Sequence, residues 1–250
     1  MRKVILGLLL MSNTTFAQDT TKFASTYQLS GLISGGNSNR KLISTNETFV
    51  YNKGKTTLST NLNFTYGSNN NKVLEKEYFQ TISYGHYLSE RSKIIVFGDL
   101  ENSNLRSVSF KAAFGEGYLY KIVNQKNILL DVSEAFMMEK TKIRNNDILD
   151  LYSIRLSTRI RFNAKLGSYR ISFVSLIQPS IKQILLNDRD NHISLKDNFS
   201  SRTTLTAEQI LYKNLSFAVT CNYIVETYSK FIAKQTADYN IQFGLKYTTK

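Results

Sequence analysis

Between residues 56 and 66 the chain alternates without interruption: Thr56, Leu58, Thr60, Leu62, Phe64 and Tyr66 fall on one parity, and Thr57, Ser59, Asn61, Asn63 and Thr65 on the other. Successive side chains of a strand point to opposite faces, so this segment has one oily face and one wet face. The pattern recurs to the end of the chain. Ile148, Tyr152, Ile154, Leu156, Thr158, Ile160 and Phe162 alternate with Ser153, Arg155, Ser157, Arg159 and Arg161, and Tyr239, Ile241, Phe243, Leu245 and Tyr247 with Asp238, Asn240, Gln242 and Lys246. Charges and amides at this density do not fit the packed core of a sandwich. They fit the watered interior of a closed barrel whose oily parity faces lipid.

The first residues agree with that setting. Arg2 and Lys3 give a charged start, residues 4–11 form a short apolar run, and Thr15, Phe16 and Ala17 before Gln18 make a small-residue cleavage pattern. This predicts a secretory signal peptide over 1–17 and a single barrel domain over 18–250. A lipoprotein is disfavoured because the one cysteine, Cys221, lies far from the cleavage site. A single cysteine also excludes an internal disulfide framework, so stability must come from strand pairing.

Beyond the signal no segment reaches the ~18 consecutive apolar residues a membrane helix needs. A chain without such helices spans a bilayer only as a closed barrel, with every backbone group paired between strands. A hydrophobic content of 42% and a mean hydropathy of -0.26 are low for a helical membrane protein. They are natural where half of each strand meets lipid, and 15 Tyr with 15 Phe can supply interfacial girdles. The formal charge of +13 falls to +11 once Arg2 and Lys3 leave with the signal. In an exported barrel such charge is directed to lipopolysaccharide phosphates or anionic solutes.

Twelve strands are predicted, over 24–35, 41–51, 56–66, 78–88, 93–102, 108–120, 128–139, 148–162, 169–179, 199–211, 215–227 and 237–247. Connections 52–55, 89–92, 121–127, 163–168 and 212–214 are compact, whereas 67–77, 140–147 and 180–198 are long and polar and 36–40, 103–107 and 228–236 intermediate. Short turns of bacterial barrels lie in the periplasm and longer loops outside. With a periplasmic N-terminus and an even strand count, the six longer connections are the external ones. The expected molecule is therefore a monomeric antiparallel up-and-down barrel in the outer membrane of a Gram-negative bacterium. Strands six and seven strain this reading. Glu116 falls on the oily parity of Phe110, Phe114, Tyr118 and Tyr120, and Glu134 on that of Ile128, Leu130, Val132, Phe136 and Met138. Either these strands bulge, or the small side with Ala113, Gly115 and Gly117 packs against something bulky.

The chemistry-bearing constellation is basic. Arg155, Arg159 and Arg161 point inward on strand eight, and Arg170 does so on strand nine. A rise of about 3.3 Å per residue separates Arg155 from Arg159 by some 13 Å, enough for a ladder. Asp99 and Glu101 on strand five and Glu208 on strand ten are the acids expected to answer it across the lumen. Such a ladder serves either to brace a filled interior or to form a constriction favouring anions. Outer-membrane phospholipases also have twelve strands, with a serine two residues after a histidine, and His192 and Ser194 have that spacing. No orienting partner accompanies them, so the spacing is read as accidental and the protein as no enzyme. A lipid hydrolase is kept as the alternative, together with adhesion through residues 180–198. Asp188 and Asp190 in that loop read as solvated. His86 reads as interfacial. Two histidines and one cysteine exclude a transition-metal cluster, no cofactor motif is present, and the basic stretches lack the aromatic interleaving of a nucleic-acid binder.

Three stretches carry a resemblance to a known family: Gly31-Leu32-Ile33-Ser34-Gly35-Gly36-Asn37-Ser38-Asn39, Tyr87-Leu88-Ser89-Glu90-Arg91 and Phe114-Gly115-Glu116-Gly117-Tyr118. They are similar to the first strand and loop, a turn, and the glycine-aromatic central strand of the YdiY-like family, outer-membrane β-barrels of unknown function described as salt-induced. The resemblance implies a location and an architecture, and no chemistry; as an outer-membrane barrel the chain is expected to meet the barrel-assembly machinery during insertion. Such barrels usually finish on an aromatic residue, whereas here Thr248, Thr249 and Lys250 follow Tyr247.

Overall fold

Every alternating segment forms a strand in the computed structural model, which describes residues 22–34, 40–69, 72–104, 108–143, 150–185, 198–228 and 237–249. The strands are β1 (Lys22–Ser34), β2 (Arg40–Lys53), β3 (Thr56–Asn69), β4 (Lys72–Tyr87), β5 (Ser92–Ser103) and β6 (Val108–Asn124) in the first half. The second half adds β7 (Ile128–Ile143), β8 (Asp150–Leu166), β9 (Tyr169–Leu185), β10 (Asn198–Tyr212), β11 (Leu215–Tyr228) and β12 (Ala237–Thr249). Each pairs antiparallel with its sequence neighbours, and β1 closes on β12 from Ser25↔Thr249 to Gly31↔Phe243. The result is a closed twelve-stranded barrel without an open edge.

The two parities separate as the alternation requires. Leu58, Phe64, Tyr66, Phe136, Tyr239, Ile241 and Phe243 stand exposed on the outside, while Ser44, Thr65, Ser153, Arg155, Ser157 and Gln242 are buried inside. An exterior this apolar around a polar interior is the inverse of a water-soluble barrel and requires a hydrocarbon surround. On the outside, Tyr27 stacks edge-on against Phe49, with ring centroids 5.7 Å apart, beside the closing seam. His86 is exposed on this outer face between Thr56 and Ile94.

The strands reach further than the oily pattern. β3 and β4 remain paired to Asn69↔Lys72 through a register shift at Gly67/Ser68, so the connection expected over 67–77 shrinks to residues 70–71. β7 likewise runs to Ile143 and β9 to Leu185. Beyond the bilayer both faces of a strand are wet, so pairing continues where hydrophobic alternation stops.

Of the two explanations offered for the middle strands, the packing one holds: the register shifts of β6 sit near its ends and leave the parity from Phe114 to Tyr120 unbroken. β6 shifts register at Val108/Phe110 and at Lys121/Val123, and the Phe97 ring lies on Gly115, where an added Cβ would come within 2.5 Å of its Cζ. Glu116 and Glu134 stay on the outer face, and both carboxylate oxygens of Glu134 accept from the Thr158 hydroxyl at 2.9 and 3.0 Å.

Candidate functional site in the barrel lumen

The inner parity divides the lumen into two walls. On β1–β3 and β10–β12 it is mostly neutral, an amide and hydroxyl ladder that sequence reasoning did not single out. Asn61 donates to Thr48 at 2.9 Å, Ser30 to Gln242 at 2.9 Å, Thr204 to Asn222 at 2.9 Å and Asn222 to Asn240 at 3.0 Å. Cross-strand partners of one parity stand side by side, so one polar residue on each of several adjacent strands makes such a ladder.

The opposite wall is charged. Arg155 is buried and locked: its Nη1 donates to the Gln178 carbonyl at 3.1 Å, its Nη2 to Glu139 Oε1 at 3.3 Å, and its Nε lies 3.3 Å from Glu139 Oε2. Glu139 also takes Lys111 at 2.8 Å and the Thr141 hydroxyl at 3.1 Å. Arg161 forks onto Asp131 Oδ2, with Nε at 2.9 Å and Nη2 at 2.5 Å. Asp131 is fully buried, whereas the Arg161 side chain keeps 35% exposure to the lumen.

The expected acids are placed differently from the expectation that they answer the ladder across the lumen. Asp99 accepts from Thr81 at 2.7 Å, Glu101 pairs with Arg202 at 2.8 Å, and Glu208 pairs with Lys246 while standing in register with Arg170. The ladder's partners are instead Glu139 and Asp131 on the adjoining strand β7. The reason is distance: neighbouring strands lie about 4.8 Å apart, within reach of any arginine, so the nearest carboxylate takes the charge. A contact that does cross the lumen is Arg202–Glu101, joining β10 to β5, five strands round a ring of twelve. The Arg202 guanidinium also lies 5.5 Å above the Phe79 ring of β4. Arg159 is the exception on the wall. It has a buried Nε and, unlike Arg155 and Arg161, no hydrogen bond or ion pair among the described residues.

His192, Ser194, Asp188 and Asp190, and the signal segment 1–17, lie outside the described residues. Among the described residues no group of three or more metal-ligating side chains converges, and no helix is long and apolar enough to cross a membrane.

A closed antiparallel barrel with an oily exterior, a polar lumen and short turns at one end has the fold of the outer-membrane β-barrels. The chain belongs to the family described as protein of unknown function, DUF481, whose model matches residues 27–178. This agrees with the YdiY-like resemblance and, like it, carries no chemistry. None of the curated proteins matches the sequence. Among solved structures the chain is similar to a NanC porin, with 6% identity and a TM-score of 0.54 over 89% of this chain and 98% of that one. It is also similar to the translocator domain of the autotransporter NalP from Neisseria meningitidis, with 10% identity and a TM-score of 0.42 over 99% and 94% of the two chains. LpxR from Salmonella typhimurium aligns with 6% identity and a TM-score of 0.46 over 90% and 99%. At 6% identity the likeness to the NanC porin extends to the fold alone.

Proposed function

We propose that this protein is a non-enzymatic outer-membrane barrel of a Gram-negative bacterium that passes small anionic solutes. The observation that carries the reading is the uneven charge of the lumen. Toward the short turns, Lys93, Lys121, Arg159, Arg161, Arg170 and Lys246 share the interior with Asp131 and Glu208. Toward the long connections the carboxylates Glu75, Glu77, Asp99, Glu101 and Glu139 outnumber the cations Lys111, Arg155 and Arg202. A cation-rich segment in a low-dielectric wall raises the local anion concentration and sets selectivity.

The orientation follows from the same ends, with the short turns in the periplasm and the long connections outside. Lys41, Lys76, Lys140, Lys142 and Lys182 support it. All lie near the long-connection ends of their strands, in register with outward residues such as Ile43, Tyr66 and Ile154 or on the same parity as them. There they form a belt suited to lipopolysaccharide phosphates.

The test is conductance in planar bilayers under a salt gradient. Wild-type protein is expected to pass current with an anion-favouring reversal potential. The double variant Arg159→Ser, Arg161→Ser frees the Asp131 carboxylate and should move that potential toward cations. A folded barrel that passes no current in any condition would instead leave Arg155–Glu139 and Arg202–Glu101 as braces of a closed, envelope-structural cylinder.

A further inference from the structure

Two adjacent rows of the charged wall bring four cations together. In one row Lys93, Leu119, Ser133 and Arg159 stand side by side across β5, β6, β7 and β8. In the next, Lys121, Asp131 and Arg161 do so across β6, β7 and β8. Between the long basic side chains stand the shorter Leu119 and Ser133, both covered, at 1% and 4% exposure. Lys93 and Arg159 are three strand spacings apart, about 14 Å along the wall, a gap that two extended basic side chains reaching inward bring within the span of one small ligand. The Tyr87 ring gathers the lysines, with the Lys93 and Lys121 ammoniums 5.2 and 4.7 Å from its centroid. Lys93 lies within electrostatic range of Arg161, Arg159, Asp131 and Lys121, and Arg159 within range of Arg161, Asp131 and Asp99.

The two carboxylates within electrostatic range of Arg159 accept from other donors, and the Oδ1 of Asp131 is buried without a hydrogen-bond partner. Asp131 holds Arg161 and Asp99 holds Thr81. Arg159 is left with a sealed Nε and no hydrogen bond or ion pair among the described residues. A guanidinium removed from water without an acceptor is costly, and a planar fork is matched by a carboxylate or phosphate group. The exposed flank of Arg161 keeps the cluster open to lumen water.

We infer that Arg159, flanked by Lys93, Lys121 and Arg161, is a binding site for the carboxylate or phosphate group of a small solute, at the short-turn half of the lumen. This deepens the passage reading and rests on it for its role: the site is where a passing anion pauses. It is the step at which an oxyanion is preferred to chloride, because the fork offers paired donors and chloride is a single point charge.

The test separates the site from the passage. Full-length mature protein in detergent is titrated calorimetrically with inorganic phosphate, and with acetate as the carboxylate probe, in a chloride background; the same anions are added to planar bilayers. Saturable binding of at least one probe is expected, with slowed or blocked current. Arg159→Gln should weaken that binding at least tenfold. Arg159→Lys, which keeps the charge and loses the fork, should fall between the two, and Lys165→Gln, which removes an exposed charge near the turn, should bind as wild type. Heat-modifiable gel mobility checks that each variant is folded. Conductance without binding of either probe overturns the site and spares the passage reading, whereas binding without conductance does the reverse. Equal losses in Arg159→Gln and Lys165→Gln would reduce the effect to overall charge and overturn the site as well.

Discussion

Glu139 holds a carboxylate where water is almost absent, its side chain 1% exposed, because Lys111, Arg155 and Thr141 all point their donors at it. The favourable charge contacts there are offset by desolvation, so the cluster adds little net stability as a whole and much sensitivity in its parts. Arg155→Met leaves Glu139 with Lys111 as its remaining cation and should cost about 3 kcal/mol in urea unfolding from phospholipid vesicles. Adding Glu139→Gln to it should recover part of that loss. A single variant costing under about 1 kcal/mol would show that the cluster is wet and adaptable. The sequence already placed Arg155, Arg159 and Arg161 inside, since parity assigns a face. It could not assign their partners, because a partner depends on register, which the turns and bulges set. Asp131 and Glu139 were nonetheless legible in principle. They alternate with Leu130, Val132 and Met138 and share a parity with Ser133 and Ala135, which is the signature of an inner wall.

Strands themselves were legible wherever one face meets lipid, and their ends were legible only where a turn is tight. Three short turns carry a left-handed residue: Gly54 at φ 55°, Gly167 at φ 60° and Lys213 at φ 39°. The glycines adopt that conformation freely, whereas a lysine Cβ there meets the following carbonyl at a cost of about 1–2 kcal/mol. Lys213→Gly between β10 and β11 should therefore stabilise the barrel by about 0.5–1 kcal/mol after allowing for the looser unfolded chain. The measurement is the shift of the urea midpoint at unchanged slope; a loss of stability would mean that the Lys213 ammonium, 5.1 Å from the Tyr212 ring centroid, matters more than the backbone. At the opposite ends no such signal exists. Lys72, Glu75 and Glu77 read as loop because both faces there are wet, yet they pair with β3 through a bulge at Gly67/Ser68, and only backbone hydrogen bonding with no hydrophobic contrast marks them as strand.

At the scale of the whole barrel the decisive contact is the one between walls. Neighbour-strand pairs such as Arg161–Asp131 stiffen the cylinder without narrowing it, whereas Arg202–Glu101 ties β10 to β5 and lies in the way of anything moving along the axis. The contact is one charge-assisted pair, with the Arg202 side chain 21% exposed and the Glu101 side chain 2% exposed, so it is wet on one side and can open for less than a fully buried bridge. The geometry thus makes Arg202 a strap on the lumen and Phe79 its rest. If so, Arg202→Ala should raise single-channel conductance severalfold while leaving the preference for anions to Arg159, Lys93 and their neighbours. Glu101→Gln should do the same less completely, because the guanidinium can still lie on the ring. Both variants keep every strand pair of the closed barrel, so heat-modifiable mobility should be unchanged. Unaltered conductance in Arg202→Ala would place the narrowest point elsewhere, and the next place to look is the Lys111–Glu139–Arg155 cluster, where the wall is thickest with paired charge.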